Sequence, residues 1–211
     1  MRQVVIVAAT RTPFSRFGGV FKDLTAVELG AVAISETVRR VTIEKKAVDR
    51  VILGNCMGAA TLGQVPARQA ALKAGLPDSV PAIAINTACT SALQATGLGF
   101  ALIRHGEAEV VLAGGMESMS QAPYILPQAR WGYRLGHGQL VDALTNALTC
   151  PISGVHMGVF ASQVAHEYGI GREAQDRWAL RSQQRYQVAK ATGKFADEIV
   201  TVDVTMRRGK M

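Results

Sequence analysis

Short β-branched runs alternate with helix-period segments along residues 1–115, a pattern that predicts an α/β fold rather than an all-α or all-β one. Val4 to Ala8, Val51 to Gly54, Val80 to Asn86 and Val110 to Ala113 read as strands. Between the first two, Val27, Ala31, Ile34, Val38 and Val41 share one helical face, preceded by Thr25-Ala26-Val27-Glu28 with the spacing of a capping box. Pro66 to Ala74 reads as a short helix with proline at its start and Gly75 at its end. Ala88 to His105 reads as a longer helix ended by Gly106. Ala92, Leu93, Ala95, Leu98, Phe100, Ala101, Leu102 and Ile103 leave it almost no polar face, so it is expected to be buried.

The pattern loosens from about Met116. Pro123, Pro127, Pro151 and several glycines between Gly132 and Gly158 mark a loop-rich stretch, so a second unit is expected over 116–211 behind an α/β domain over 1–115. Gly158 to Tyr168 and Arg172 to Ala191 read as helices, and Ile199 to Val204 as a candidate final strand.

Composition adds bounds to this picture. With 48% hydrophobic residues in 211, the chain can bury a sizeable core and is not a disordered segment. The 23 Lys+Arg against 16 Asp+Glu give a net charge of +7, but the excess is spread along the chain. Its longest basic cluster, Arg207-Arg208-Gly209-Lys210, is short and has no interleaved aromatics, so an anionic small ligand is expected rather than nucleic acid. Cys56, Cys89 and Cys150 form no CxxC pair and are odd in number, which disfavours a disulfide framework or a zinc site. No apolar stretch approaches the ~18 residues of a membrane span, and Met1 leads directly into a strand-like run. A cytoplasmic protein without a membrane partner is expected. No metal and no cofactor is predicted: Gly97-Leu98-Gly99 lacks a dinucleotide fingerprint, and His166-Glu167 has no second histidine four residues on.

The candidate chemistry sits at Cys89, where a strand ends and a helix begins. Unpaired N–H groups and the macrodipole at a helix N-terminus favour an anion, the condition that turns a thiol into a nucleophile. Ala88, Thr90, Ser91 and Ala92 are small enough to admit a substrate carbonyl, and the Cys89 N–H is placed to donate to the oxyanion formed on attack. Position alone fits a buried structural cysteine equally well.

The run Asn-Thr-Ala-Cys-Thr-Ser-Ala-Leu-Gln-Ala over 86–95 resembles the nucleophile motif of the thiolases, N-x-x-C-x-S-G-x-x-A. Arg11-Thr12-Pro13-Phe14, Pro66-Ala67-Arg68-Gln69, Ala113-Gly114-Gly115-Met116-Glu117-Ser118-Met119-Ser120 and His156-Met157-Gly158 resemble further family segments in order and spacing. The resemblance implies the N-terminal half of a thiolase-like fold: a mixed β-sheet layered with helices, plus an incomplete loop subdomain that binds coenzyme A. It implies acyl transfer between acyl-CoA and CoA through a cysteine acyl-enzyme, with Cys89 as the acylated catalytic nucleophile. Leu148, His156 and Met157 are implied as substrate-binding contacts along the pantetheine arm. A dimer or tetramer is implied for the full-length family, with Trp131-Gly132-Tyr133-Arg134 resembling a tetramer-forming loop. Decarboxylating ketoacyl synthases share the T-A-C-x-S run and give one alternative; a non-catalytic fragment binding CoA or a partner gives another.

Departures from the family pattern carry their own expectations. Ala92 stands where the family has glycine, adding a methyl group beside the nucleophile, and Val155 stands where an aromatic residue often precedes H-M-G. The G-H-P, N-E-A-F and C-x-G segments of the family's second half have no counterpart in these 211 residues, and Cys56-Met57-Gly58 follows an early strand instead. Little turnover is therefore expected of this chain alone. The chain is also expected to stop inside the coenzyme A subdomain, before any strand returns to the first sheet.

Overall fold

The computed structural model describes residues 2–57 and 62–204. The basic cluster over 207–210 and Gly58 lie outside the described residues. Two compact units divide the chain, one formed by residues 1–122 with 198–211 and the other by 123–197. The first unit runs on through Ala122, with Met116 buried in its core, where the sequence pattern loosens after 115.

In the first unit, α1 (Ala26–Val41) precedes β1 (Arg50–Gly54), α2 (Pro66–Lys73), β2 (Ala82–Ile85), α3 (Ser91–His105) and β3 (Val111–Gly115). The capping box forms as expected: the Glu28 N–H donates to Thr25 Oγ1 at 3.2 Å, and the Thr25 N–H donates to the Glu28 carboxylate at 2.9 Å. The three strands pair in the order β2-β1-β3, all parallel, with Leu53 opposite Gly114 and Gly54 opposite Gly115. This sheet is thus parallel rather than mixed, since each strand is joined to the next through a helix. Val51 and Leu53 enter a core shared with Val27, Ile34 and Val38 of α1 and with the alanines of α2. Alternation turns the fully buried Ile52 to the opposite face, where α3 packs on β1 and β3.

Three expectations are corrected here. Val4 to Ala8 forms no paired strand, and Val5, Ile6 and Val7 are exposed, because no described strand lies beside them to complete a ladder. The helix α3 is not buried all round: only Ser91, Ala95 and Gly99 are buried, at fourfold spacing, while Leu93 and Phe100 face outward. These small residues seat the helix closely, and a Cβ at Gly99 would lie 3.1 Å from Val111. Residues 198–200 do return to the first unit, where the Arg11 N–H donates to Glu198 O at 2.8 Å and the Val200 N–H to Arg11 O at 2.9 Å. This is one parallel bridge rather than the expected strand over 199–204.

The second unit holds an antiparallel pair, β4 (Tyr124–Ile125) with β5 (Val141–Asp142), the short α4 (Ala143–Ala147), then α5 (Met157–Glu167) and α6 (Arg172–Ala191). The last two follow the hydrophobic pattern almost residue for residue. No helix among the described residues is long and apolar enough to cross a membrane.

Candidate active site

Cys89 lies exposed on a tight elbow between β2 and α3. The helix begins at Ser91, three residues later than the pattern suggested, because Ala88 has φ +53°, a left-handed conformation no α-helix continues. That conformation costs an L-residue about 1 kcal/mol, so the elbow needs holding from outside.

The holding groups can be followed bond by bond. Ser91, 4% exposed, accepts from the Thr87 N–H at 2.9 Å through its hydroxyl and donates that hydroxyl to Ala88 O at 2.6 Å. Ala88 O also accepts from the Ser91 N–H at 3.1 Å and from the Cys56 thiol at 3.0 Å. The Ala88 N–H donates to Asn86 Oδ1 at 3.0 Å, and Asn86 Nδ2 donates to Cys56 O at 3.2 Å. The Cys89 N–H donates to no other described residue.

Behind this elbow stands Glu117, just past the end of β3. One carboxylate oxygen accepts from Asn55 Nδ2 at 3.0 Å; the other accepts from the N–H groups of Cys56 and Met57 at 2.7 and 3.2 Å. Asn55, buried, also donates from Nδ2 to Met116 O at 3.0 Å. The approach of α3 is possible because β1 and β3 end in glycine: a Cβ at Gly54 would meet the Ser91–Ala92 backbone at 2.5 Å, and one at Gly115 the Ala92 methyl at 2.8 Å. The Ala92 methyl is therefore accommodated against the sheet glycines.

Leu148, His156 and Met157 come together in the second unit. The Met157 N–H donates to Leu148 O at 2.9 Å, and Thr149 bridges His156 across the same turn. His156 caps α5, its Nδ1 accepting from the Gly158 N–H at 3.0 Å, which leaves Nε2 to carry the ring proton. Leu148 and Met157 are 40% and 45% exposed, so their apolar tips are open to contact. In the same turn the hydroxyl of Ser153, helped by the backbone N–H groups of Ser153 and Ile152, holds the Cys150 thiol below the usual thiol range. No group of three or more metal-ligating side chains occurs among the described residues.

Sequence reading singled out Cys89 but not Glu117, Asn55, Asn86 or Cys56 as its support. Their motifs were visible; their convergence needed the parallel register that sets the end of β1 beside the end of β3.

Comparison with known proteins identifies the family and the fold. The family model for the thiolase N-terminal domain matches residues 4–211. The acetyl-CoA acetyltransferase of Chromobacterium violaceum is 48% identical over 208 residues, covering 98% of this chain and 53% of that protein. That of Pseudomonas aeruginosa is 46% identical over the whole chain and 53% of its own length. The crystal structure of the Bacillus anthracis acetyl-CoA acetyltransferase superposes with a TM-score of 0.93 at 43% identity, covering 97% of this chain and 52% of that one. The chain spans about half the length of the relatives it matches.

Proposed function

The chain belongs to the thiolase family, through that family's N-terminal domain, and on that premise we propose that it supplies the acyl-accepting nucleophile of a thiolase-type acyltransferase. The observation that carries this reading is the elbow itself: an exposed thiol at the foot of α3, beside a backbone N–H that no described residue takes.

In the first step the Cys89 thiolate attacks the carbonyl carbon of an acyl-CoA. A carbon–sulfur bond forms, the carbonyl electron pair moves to oxygen, and the Cys89 N–H donates to that oxyanion. Collapse restores the carbonyl and breaks the bond to the coenzyme A sulfur, which leaves as a thiolate. In the second step a CoA thiolate, or the enolate of an acetyl-CoA, attacks the acyl-enzyme and Cys89 departs. Thioester exchange requires neither metal nor redox cofactor, and we assign none.

Leu148, His156 and Met157 are the proposed contacts for the pantetheine arm. Their shared turn supports this, since it carries two exposed apolar side chains and an imidazole whose Nε2 remains to donate. The net charge of +7 suits the phosphates of coenzyme A. A cytoplasmic dimer or tetramer acting in fatty acid metabolism belongs to the same reading, and the highly exposed Trp131 supports the oligomer.

Intact-mass measurement after incubation with acetyl-CoA tests the nucleophile. One acetyl adduct is expected on the wild-type chain and none on Cys89→Ala; an adduct that survives the substitution, or no adduct at all, overturns the assignment. Carbon dioxide release from malonyl-CoA would instead favour the decarboxylating alternative.

A further inference from the structure

We propose that Glu117 is a positioning residue for Cys89, acting through a relay that runs from its carboxylate to the 55–57 bend, across to Asn86, and into the left-handed Ala88. The inference deepens the reading of Cys89 as nucleophile and rests on it. Glu117 forms no hydrogen bond with Cys89. Its three accepted hydrogen bonds instead fix the backbone of Cys56 and Met57 and the amide of Asn55.

From that bend two bonds cross to the elbow. Cys56 O accepts from Asn86 Nδ2, which orients Oδ1 of the same amide to receive the Ala88 N–H; the Cys56 thiol donates to Ala88 O. Both polar ends of the Ala88 backbone are thus tied to the Glu117-held segment, while Ser91 ties the elbow from the helix side. A non-glycine residue at positive φ persists only where its surroundings over-determine it. Release of Ala88 toward negative φ would rotate the peptide joining it to Cys89, and with it the Cys89 N–H and the direction of the thiol at the foot of α3.

The carboxylate is suited to this because each of its oxygens meets only donors. In Glu117→Gln one oxygen becomes an NH2 group facing N–H donors, with side-chain shape retained. The prediction is a loss at Cys89 that Cys150 does not share. Cys150 provides the internal reference, since it lies in the other unit.

The test is iodoacetamide labelling of the full chain at fixed pH, with the rate at each cysteine read by peptide mass spectrometry and the fold checked by circular dichroism. Glu117→Gln is expected to lower the Cys89-to-Cys150 rate ratio by about tenfold, the size of a released left-handed alanine. Ala88→Gly in the same background is expected to return it to within about twofold of wild type, because glycine adopts positive φ without a Cβ penalty. A folded Glu117→Gln protein with an unchanged ratio overturns the proposal, as does a loss that Ala88→Gly leaves in full. Should Glu117→Gln fail to fold, Asn86→Ala cuts the relay beyond the carboxylate and carries the same two outcomes. Labelling requires no acyl transfer, so a wild-type chain that alkylates at Cys89 yet takes no acetyl group from acetyl-CoA would overturn the proposed function and leave the relay standing.

Discussion

A single methyl group decides how α3 meets the sheet. The Ala92 methyl occupies the space that a side chain at position 115 would need, 2.8 Å from the Cβ such a side chain would carry. Gly115→Ala is therefore expected to destabilise the first unit by roughly 1–3 kcal/mol through overpacking. Ala92→Gly should recover most of that loss in the double variant, because it removes the clashing atom. Thermal unfolding of the four proteins in the cycle checks it, and additive losses would mean that the two positions do not compete for space. Gly54 presents a harder constraint, since its imagined Cβ meets backbone atoms of Ser91 and Ala92, which have no side-chain freedom to move away. Ala92, where the family motif has glycine, thus packs its methyl against the strand glycines.

At the level of elements, α1 concentrates the local signals. Thr25→Ala removes the acceptor for the Glu28 N–H and is expected to lower stability by about 1 kcal/mol in chemical denaturation. In the last turns of the same helix Glu36 pairs with both Arg39 and Arg40, whose side-chain hydrogen bonds hold its carboxyl at about 2, below an ordinary 4.5. A carboxyl depressed in the folded state contributes stability that is present above its unfolded value and disappears as pH falls through the folded one. The thermal midpoint is therefore expected to drop between about pH 4.5 and 2, and Glu36→Gln to flatten that limb. Raised salt should weaken the same dependence. The capping box was legible in the sequence because its signal is local. The helix over 172–191 was legible for the same reason. The start of α3 was not: nothing in Thr87-Ala88-Cys89 marks an alanine at positive φ, a conformation imposed by Ser91, Asn86 and Cys56 together. Val4 to Ala8 failed differently, since an apolar run announces a strand but only a neighbour makes it one.

Across the first unit as a whole, burial is lopsided. Val51 and Leu53 lie in a core closed by α1 and α2, whereas Leu93 of α3 is 74% exposed and Ile6 82%. Side chains of this size left in water forgo about 25 cal/mol per Å2 of apolar area, and contiguous patches of them draw partners. The purified chain is accordingly expected to bind a hydrophobic dye and to associate with rising concentration in analytical ultracentrifugation. Ile6→Glu with Leu93→Glu should diminish both effects while changing unfolding free energy by less than about 0.5 kcal/mol, because neither side chain belongs to the closed core. A monodisperse wild-type monomer without dye binding would show that these residues are covered in solution. Equal association of the double variant would place the sticky surface elsewhere, with Trp178 and Leu180 of α6 the next candidates, each more than half exposed in the second unit. Acetylation of Cys89 read in the same samples separates the two halves of the question: an elbow held by Ser91 and the Glu117 relay keeps its shape in a soluble variant, so the adduct should survive the loss of the apolar patch.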